Sequence, residues 1–365
     1  MVTKVGVIGC GNISSNYIRN SRQYANLEFS AFADLDMERA RAKALEYGGN
    51  AVACTVDELL HNPEITIILN LTIPNAHYSV AKAALLAGKH VYNEKPLAIT
   101  REEGAELRKL AAESGLRLGG APDTFLGAGI QTCRKIIEDG GIGKIVGATA
   151  FMMGHGHESW HPDPEFYYQV GGGPMFDMGP YYLTALVNLI GPVKSVMGST
   201  RISFPERTIT SEKKYGKKIP VEIPTHVVGL LNFQNEAIAT IITSFDVWSH
   251  HMPCIEIYGT EGSMIVPDPN GFEGEVQLWT AEAREWKTIP LLQDRKYTGR
   301  SLGVADMAYA IENGRAHRAN GDLTFHVLDI MHAVHESSDR GTQIEVENVL
   351  KSVPQGLFQD ADLSV

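Results

Sequence analysis

The chain has 365 residues, enough for about two domains that each bury a core, and its 44% hydrophobic and 21% charged composition is that of an ordinary globular protein. A formal net charge of -11 argues against nucleic acid or an anionic membrane surface as a partner. No apolar run reaches the length of a membrane span, no signal peptide precedes the first strand, and Cys10, Cys54, Cys133 and Cys254 form no C-x-x-C pair, so the expected setting is the reducing cytoplasm.

The chain opens with an apolar strand that runs into a glycine turn and a helix start over residues 5–14. Gly9, Gly11, Asn12 and Ile13 form the turn, and Ser14 occupies the third small position, where Gly or Ala is usual. Such a turn brings backbone N–H groups and a helix N-terminus to a pyrophosphate. A second strand spans residues 27–33 and is followed by Asp34, twenty residues after Ser14, where a ribose hydroxyl acceptor is expected. Asp36 caps a helix that stops at Gly48-Gly49, and Thr55 with Glu58 forms a capping box. A buried strand covers residues 65–71, Asn75 starts a helix ending at Gly88, and residues 90–92 form a short strand. Thr100 with Glu103 is a second capping box, on a helix ending near Gly115, and a last strand lies near residues 116–119. Strands alternating with helices predict a doubly wound parallel sheet over residues 1–122.

The pattern then changes. A helix over about residues 127–139 leads into strands at 145–153, 193–200, 225–233, 237–245, 254–259, 263–266, 276–280 and 286–290. Strands in series predict a large open, mainly antiparallel sheet in an α/β domain over residues 123–365. A helix over 180–190 interrupts them, and helices over 302–312 and 324–338 close the fold. The polar, lysine-rich stretch 205–222 reads as a solvated loop or an arm to another subunit.

Three further stretches join the glycine turn in order: residues 72–77, Glu94-Lys95-Pro96 with Leu97 and Ala98, and residues 171–181. With the glycine turn, their order and spacing resemble the glucose-fructose oxidoreductase/inositol dehydrogenase/MocA (Gfo/Idh/MocA) family over nearly the whole chain. The resemblance implies a Rossmann domain followed by an open-sheet domain that supports homodimers or homotetramers. It also implies an NAD(P)-dependent oxidoreductase of sugars or polyols. Lys95 would then stand beside the nicotinamide and the reacting hydroxyl, and Glu94 near the nicotinamide ribose. Asp177 matches the aspartate of the family's Asp-x-Gly-x-His pattern, whereas Tyr181 replaces its histidine.

Oxidising an alcohol needs a hydride acceptor, a base for the hydroxyl proton and groups that stabilise the developing alkoxide. Lys95 offers charge and a hydrogen bond, and Pro96 favours an extended residue before it. Tyr181 acts either as a lysine-assisted acid/base or as a hydrogen-bond donor beside a histidine that carries the proton. The rival histidines lie in the 155–168 segment, where His157, Trp160, His161 and Tyr168 suit a sugar pocket. The literal H-E-x-x-H from His157 to His161 is flanked by glycines and prolines, which disfavours the helix that zinc ligation at this spacing needs, so no metal is expected. Asp34 would repel a 2′-phosphate, so NAD is expected over NADP. Asn70, Thr72, Asn75 and His77 follow the fourth strand and would line the nicotinamide side. Asn75 is equally explained as a helix cap.

The leading expectation is an NAD-dependent dehydrogenase acting on a secondary hydroxyl of a sugar, glycoside or cyclic polyol. The alternatives are an enzyme that cleaves glycosides through transient oxidation and a non-catalytic sugar or nucleotide sensor of the same fold.

Overall fold

The computed structural model describes residues 2–292, 298–347 and 350. The chain divides into two compact units. The first comprises the described residues of Met1–Gln131 and Leu292–Leu328, and the second those of Thr132–Leu291 and Asp329–Val353. The first unit thus runs past residue 122, and residues 292–328 return to it.

The first unit is a six-stranded parallel sheet. Its elements are β1 (Thr3–Ile8), α1 (Ser14–Ser21), β2 (Leu27–Ala33), α2 (Met37–Tyr47), β3 (Val52–Ala53), α3 (Val56–His61), β4 (Ile67–Asn70), α4 (Pro74–Leu86), β5 (His90–Asn93), α5 (Arg101–Glu113) and β6 (Leu118–Gly120). The strand order β3-β2-β1-β4-β5-β6 reverses between β1 and β4, the switch point at which such sheets bind ligands. β1 and β4 are almost wholly buried, as near-continuous apolar runs demand. Helix starts follow local chemistry. Asp36 accepts the Glu38 N–H, and both threonine–glutamate capping boxes form. At α4 the cap is Ile73, with Pro74 in the first turn, and Asn75 is an exposed residue inside the helix. That corrects its reading as a cap.

After α6 (Ala128–Glu138), the second unit is built on a nine-stranded sheet. In chain order it contains β7 (Ile145–Met153), α7 (Gly173–Asp177), α8 (Gly179–Ile190), β8 (Val193–Arg201), β9 (Glu206–Thr208), β10 (Lys218–Pro220), β11 (His226–Phe233), β12 (Ile238–Ser244), β13 (Ile255–Gly259), β14 (Gly262–Val266), β15 (Val276–Thr280) and β16 (Trp286–Ile289). Helices α9 (Leu302–Glu312) and α10 (Gly321–Arg340) and strand β17 (Ile344–Glu345) follow. The large sheet runs β16-β15-β14-β13-β7-β12-β11-β8-β17 and is antiparallel except for one parallel pair, β7 with β12.

Alternating burial along β11 marks one core face, covered in part by α10. A Cβ at Gly198 would meet the Val334 carbonyl oxygen at 1.9 Å, so glycine there is what lets helix backbone lie so close to the sheet. The opposite face leaves Met197, Leu230 and Ile238 exposed. In the first unit, α9 is tied to the Rossmann elements: Asn26 donates to the Ala305 carbonyl (3.1 Å), and Asp123 accepts the Gly303 N–H (3.0 Å). Among the described residues no helix is long and apolar enough to cross a membrane.

Stretch 205–222 is not a solvated loop. It contains the β9–β10 hairpin, whose Ile209, Ile219 and Val221 are buried with Tyr168 and Phe245. Its apolar residues are sparse among the lysines, which hides this packing from a composition reading.

Candidate active site

In the first unit the glycine turn follows β1. Gly9 has φ +98°, and a Cβ there would lie 2.6 Å from the backbone of Leu71 and Thr72, so only glycine lets the turn pass against the end of β4. A Cβ at Gly11 would meet nothing within 4 Å, which leaves open room above the turn. Ser14 is buried, and its hydroxyl donates to the Gly11 carbonyl at 2.6 Å, which is how a polar residue serves at the third small position. The first turn of α1 carries no acidic side chain to oppose an anion. Asp34 accepts the Cys10 N–H at 2.7 Å and the Asp36 N–H at 2.9 Å, which fixes its carboxylate beside the turn. The Cys10 thiol is pushed up to about 12 by burial and then by the Asp34 charge, so it adds no charge of its own. Open room at Gly11, a helix N-terminus without acidic side chains and an adjacent fixed carboxylate fit the pyrophosphate and ribose of a dinucleotide.

A hydrogen-bonded cluster stands at the ends of β4 and β5. Asn70 is fully buried; its amide donates to the His77 carbonyl (3.1 Å) and to Asn93 (3.0 Å), and its Oδ1 accepts the Thr72 hydroxyl (2.7 Å). The His77 ring nitrogens lie 2.6 Å from the Pro96 carbonyl oxygen and 3.0 Å from that of Thr72, and burial depresses its pKa. Glu94 accepts the Tyr17 hydroxyl on one oxygen and the Lys95 N–H on the other, both at 2.9 Å. Lys95 is half-buried and precedes a cis proline. Asn70, Thr72, His77 and Glu94 thus form the scaffold from which Lys95 emerges. Asn75 makes no part of this bonding.

In the second unit residues 155–164 form bends and turns, and Glu165–Tyr168 is a short 3-10 helix. His161 N–H bonds to the His157 carbonyl at 2.9 Å, but no helix forms there. Within this H-E-x-x-H the glutamate is already engaged: Glu158 pairs with Arg207 at 2.7 Å and accepts the Tyr168 hydroxyl. His157 Nε2 lies 3.4 Å from Asp177 Oδ2, the two side chains being 14% and 15% exposed. Its ring is stacked on Tyr167 with centroids 3.8 Å apart, and Phe245 meets it edge-on at 4.7 Å. Its Nδ1 is buried with no hydrogen-bond partner among the described residues, so Nε2 is the working nitrogen. His161 differs: its Nδ1 accepts the Asp163 N–H at 3.1 Å, and burial lowers its pKa. Trp160 is exposed and packs edge-on against His161.

One expectation changes here. Tyr168 is 0% exposed, in the core cluster, and serves the loop by donating to Glu158, so it has no face for a substrate. Burial raises its pKa. Asp177 and Tyr181 do not share one helix. Asp177 ends α7 and Tyr181 lies in the first turn of α8, with Met178 capping the join, and Tyr181 is buried.

Sequence reasoning missed Arg207. Its guanidinium also donates to Asp246 (3.1 Å) and to the His155 and Phe245 carbonyls (2.9 and 2.8 Å), and so holds the histidine loop in place. No local pattern singled it out, since Arg207 stands between Glu206 and Thr208 in a polar stretch. The lysines of the stretch clamp the same loop: bonds from Lys213 and Lys214 hold Asp163 down to about 2.

Two family models match the chain: the oxidoreductase family with NAD-binding Rossmann fold at residues 3–120, and the GFO/IDH/MocA C-terminal domain at residues 130–265. The chain is 30% identical over 165 residues to D-xylose dehydrogenase of Paenarthrobacter nicotinovorans, a match covering 44% of this chain and 42% of that protein. It is 27% identical over 266 residues to 1,5-anhydro-D-fructose reductase of Ensifer adhaerens, covering 71% and 74%. A solved levoglucosan dehydrogenase in complex with NADH and L-sorbose shares the fold, with TM-score 0.79, 23% identity, and 95% and 99% coverage. The glycine cradle, the two sheets and the paired matches along the chain together make this protein an NAD-binding oxidoreductase of the Gfo/Idh/MocA family.

Proposed function

We propose that the protein oxidises a secondary hydroxyl of a sugar, glycoside or cyclic polyol, or reduces the matching ketone. The observation that carries this reading is the half-buried His157–Asp177 pair, with Nε2 3.4 Å from Oδ2. Bound NAD supplies the acceptor for the hydride that leaves the carbinol carbon. His157 takes the hydroxyl proton at Nε2, the nitrogen that faces Asp177. Asp177 stabilises the imidazolium that results, the role a carboxylate beside a catalytic histidine performs. Tyr181 donates a hydrogen bond to the substrate, and Lys95 polarises the reacting oxygen with its charge. His161 is a substrate donor through Nε2, because its Nδ1 is already an acceptor. The names of the relatives, a xylose dehydrogenase and an anhydrofructose reductase, support a carbohydrate substrate.

The test is steady-state NAD reduction against pyranoses, pentoses, inositols and glycosides. His157→Ala and Asp177→Asn should each lower kcat by about 100-fold or more, the scale of lost general acid–base catalysis. Tyr181→Phe should raise KM and largely keep kcat. A Tyr181→Phe protein that loses kcat while His157→Ala retains it would reverse the two roles. Sugar consumption with no net NADH release would replace dehydrogenation by cleavage through transient oxidation.

A further inference from the structure

A cavity of about 520 Å³ opens in the second unit, lined among others by His155, Glu158, Ser159, Phe204, Arg207 and Trp248. That volume lies in the range of about 300–1,000 Å³ usual for small-molecule sites. Trp248 is 81% exposed, yet its ring is stacked on His155 with centroids 3.4 Å apart and planes 16° from parallel. One face of the indole is therefore braced and the other is open. Phe204 meets His155 edge-on at 6.3 Å, so the aromatic wall is a built structure and not a stray side chain. The polar part of the lining has no excess of positive charge: the Arg207 guanidinium is shared by the Glu158 and Asp246 carboxylates, and Glu206 adds a further carboxylate. It offers no attraction to phosphate or carboxylate. Thr208 and Thr210 add hydroxyl groups to the lining. An aromatic platform with carboxylate and hydroxyl groups around it suits a ring that is apolar on its C–H face and hydroxylated at its rim.

His155 and His157 flank Gly156, and two residues of chain span at most about 7 Å. A ring against His155 is thus adjacent in the chain to the residue assigned the proton transfer. We infer that this cavity binds a second sugar ring, so that the preferred substrate is a disaccharide or larger glycoside. This rests on the reading of His157 given under the proposed function.

The experiment compares wild type with Trp248→Ala, an exposed position whose change leaves the core intact. Substrates are xylose, glucose and inositol on one side, and maltose, cellobiose and lactose on the other. Calorimetric titration of the same sugars, with no turnover, is the second readout. The expected result is a fall of about tenfold or more in kcat/KM and in affinity for at least one disaccharide, with monosaccharide kcat/KM unchanged. If wild type oxidises monosaccharides and Trp248→Ala leaves every disaccharide constant unchanged, the second-ring inference fails and the proposed function stands. If no sugar reduces NAD, the proposed function fails, and the titration still decides the cavity. Disaccharide binding lost in Trp248→Ala sustains it, and identical heats overturn it. A Trp248→Ala protein that changes its oligomeric state while binding disaccharides normally also overturns it.

Discussion

Asp34 performs two tasks with one carboxylate. It accepts two backbone N–H groups of the turn and presents negative charge where a ribose belongs. NAD should bind more tightly than NADP, because a 2′-phosphate meets that charge. Asp34→Ala should narrow the gap, and titration of both cofactors against wild type and variant reads it. Tighter NADP binding by wild type would remove the assignment. The candidate residues of the first unit were legible because each sits at a fixed offset from a strand end. The His157–Asp177 pair was half legible. Both residues stood out in the sequence, but their pairing joins positions twenty apart through turns that carry no periodic signal. Tyr168 was misread because a tyrosine beside histidines looks the same in sequence whether its hydroxyl faces a ligand or a buried glutamate.

Among the elements, the β9–β10 hairpin depends on Arg207. Replacing the arginine by methionine would leave the Glu158 and Asp246 carboxylates buried without their cation, at a cost of about 3–5 kcal/mol. Arg207→Met should lower the thermal midpoint clearly, and adding Glu158→Gln should recover part of the loss because one stranded charge is removed. Calorimetry on the single and double variants measures both, and an unchanged midpoint in Arg207→Met would contradict the arrangement. Most helices and strands were readable to within a few residues, since strand alternation, capping boxes and glycine stops are local signals, but the short strands β3, β9, β10 and β17 were not. The parallel β7–β12 pairing was not readable, because strand order is set by long-range packing that no local pattern records. The short α7 was missed for another reason: glycine and proline at its start mimic a loop.

At the scale of the whole molecule, two properties follow from burial. Met197 and Leu230 are directly paired on the face of the large sheet opposite its core, and Ile238 lies on that same face. Pairing two such faces removes apolar surface from water, so the protein should be a homodimer or homotetramer. Light scattering at micromolar concentration should show this, and Leu230→Glu should shift it toward monomer. A wild-type monomer would rule the interface out. Stability should also depend on pH through His317, whose pKa burial lowers to about 4. Its Nε2 faces the Leu118 carbonyl at 3.1 Å. Between the unfolded value near ~6.5 and about 4, the unfolded chain binds the extra proton, so stability is full above that window and is lost as pH falls through it, by about 3 kcal/mol. Thermal midpoints of His317→Gln should fall less steeply than those of wild type from pH 6.5 to 4. Parallel slopes would show that other groups carry the effect.

The one parallel pair in the large sheet has a further consequence. Neighbouring parallel strands cannot be joined by a tight turn, so everything between the end of β7 at Met153 and the start of β12 at Ile238 is a single excursion of the chain. His155, His157, Trp160, His161, Asp177, Tyr181 and Arg207 all lie on that excursion. One uninterrupted stretch of coding sequence therefore carries these residues together with β8 and β11, while β13 to β16 lie wholly beyond it. Exchange of that stretch between relatives is a short evolutionary route to a new substrate on an old frame.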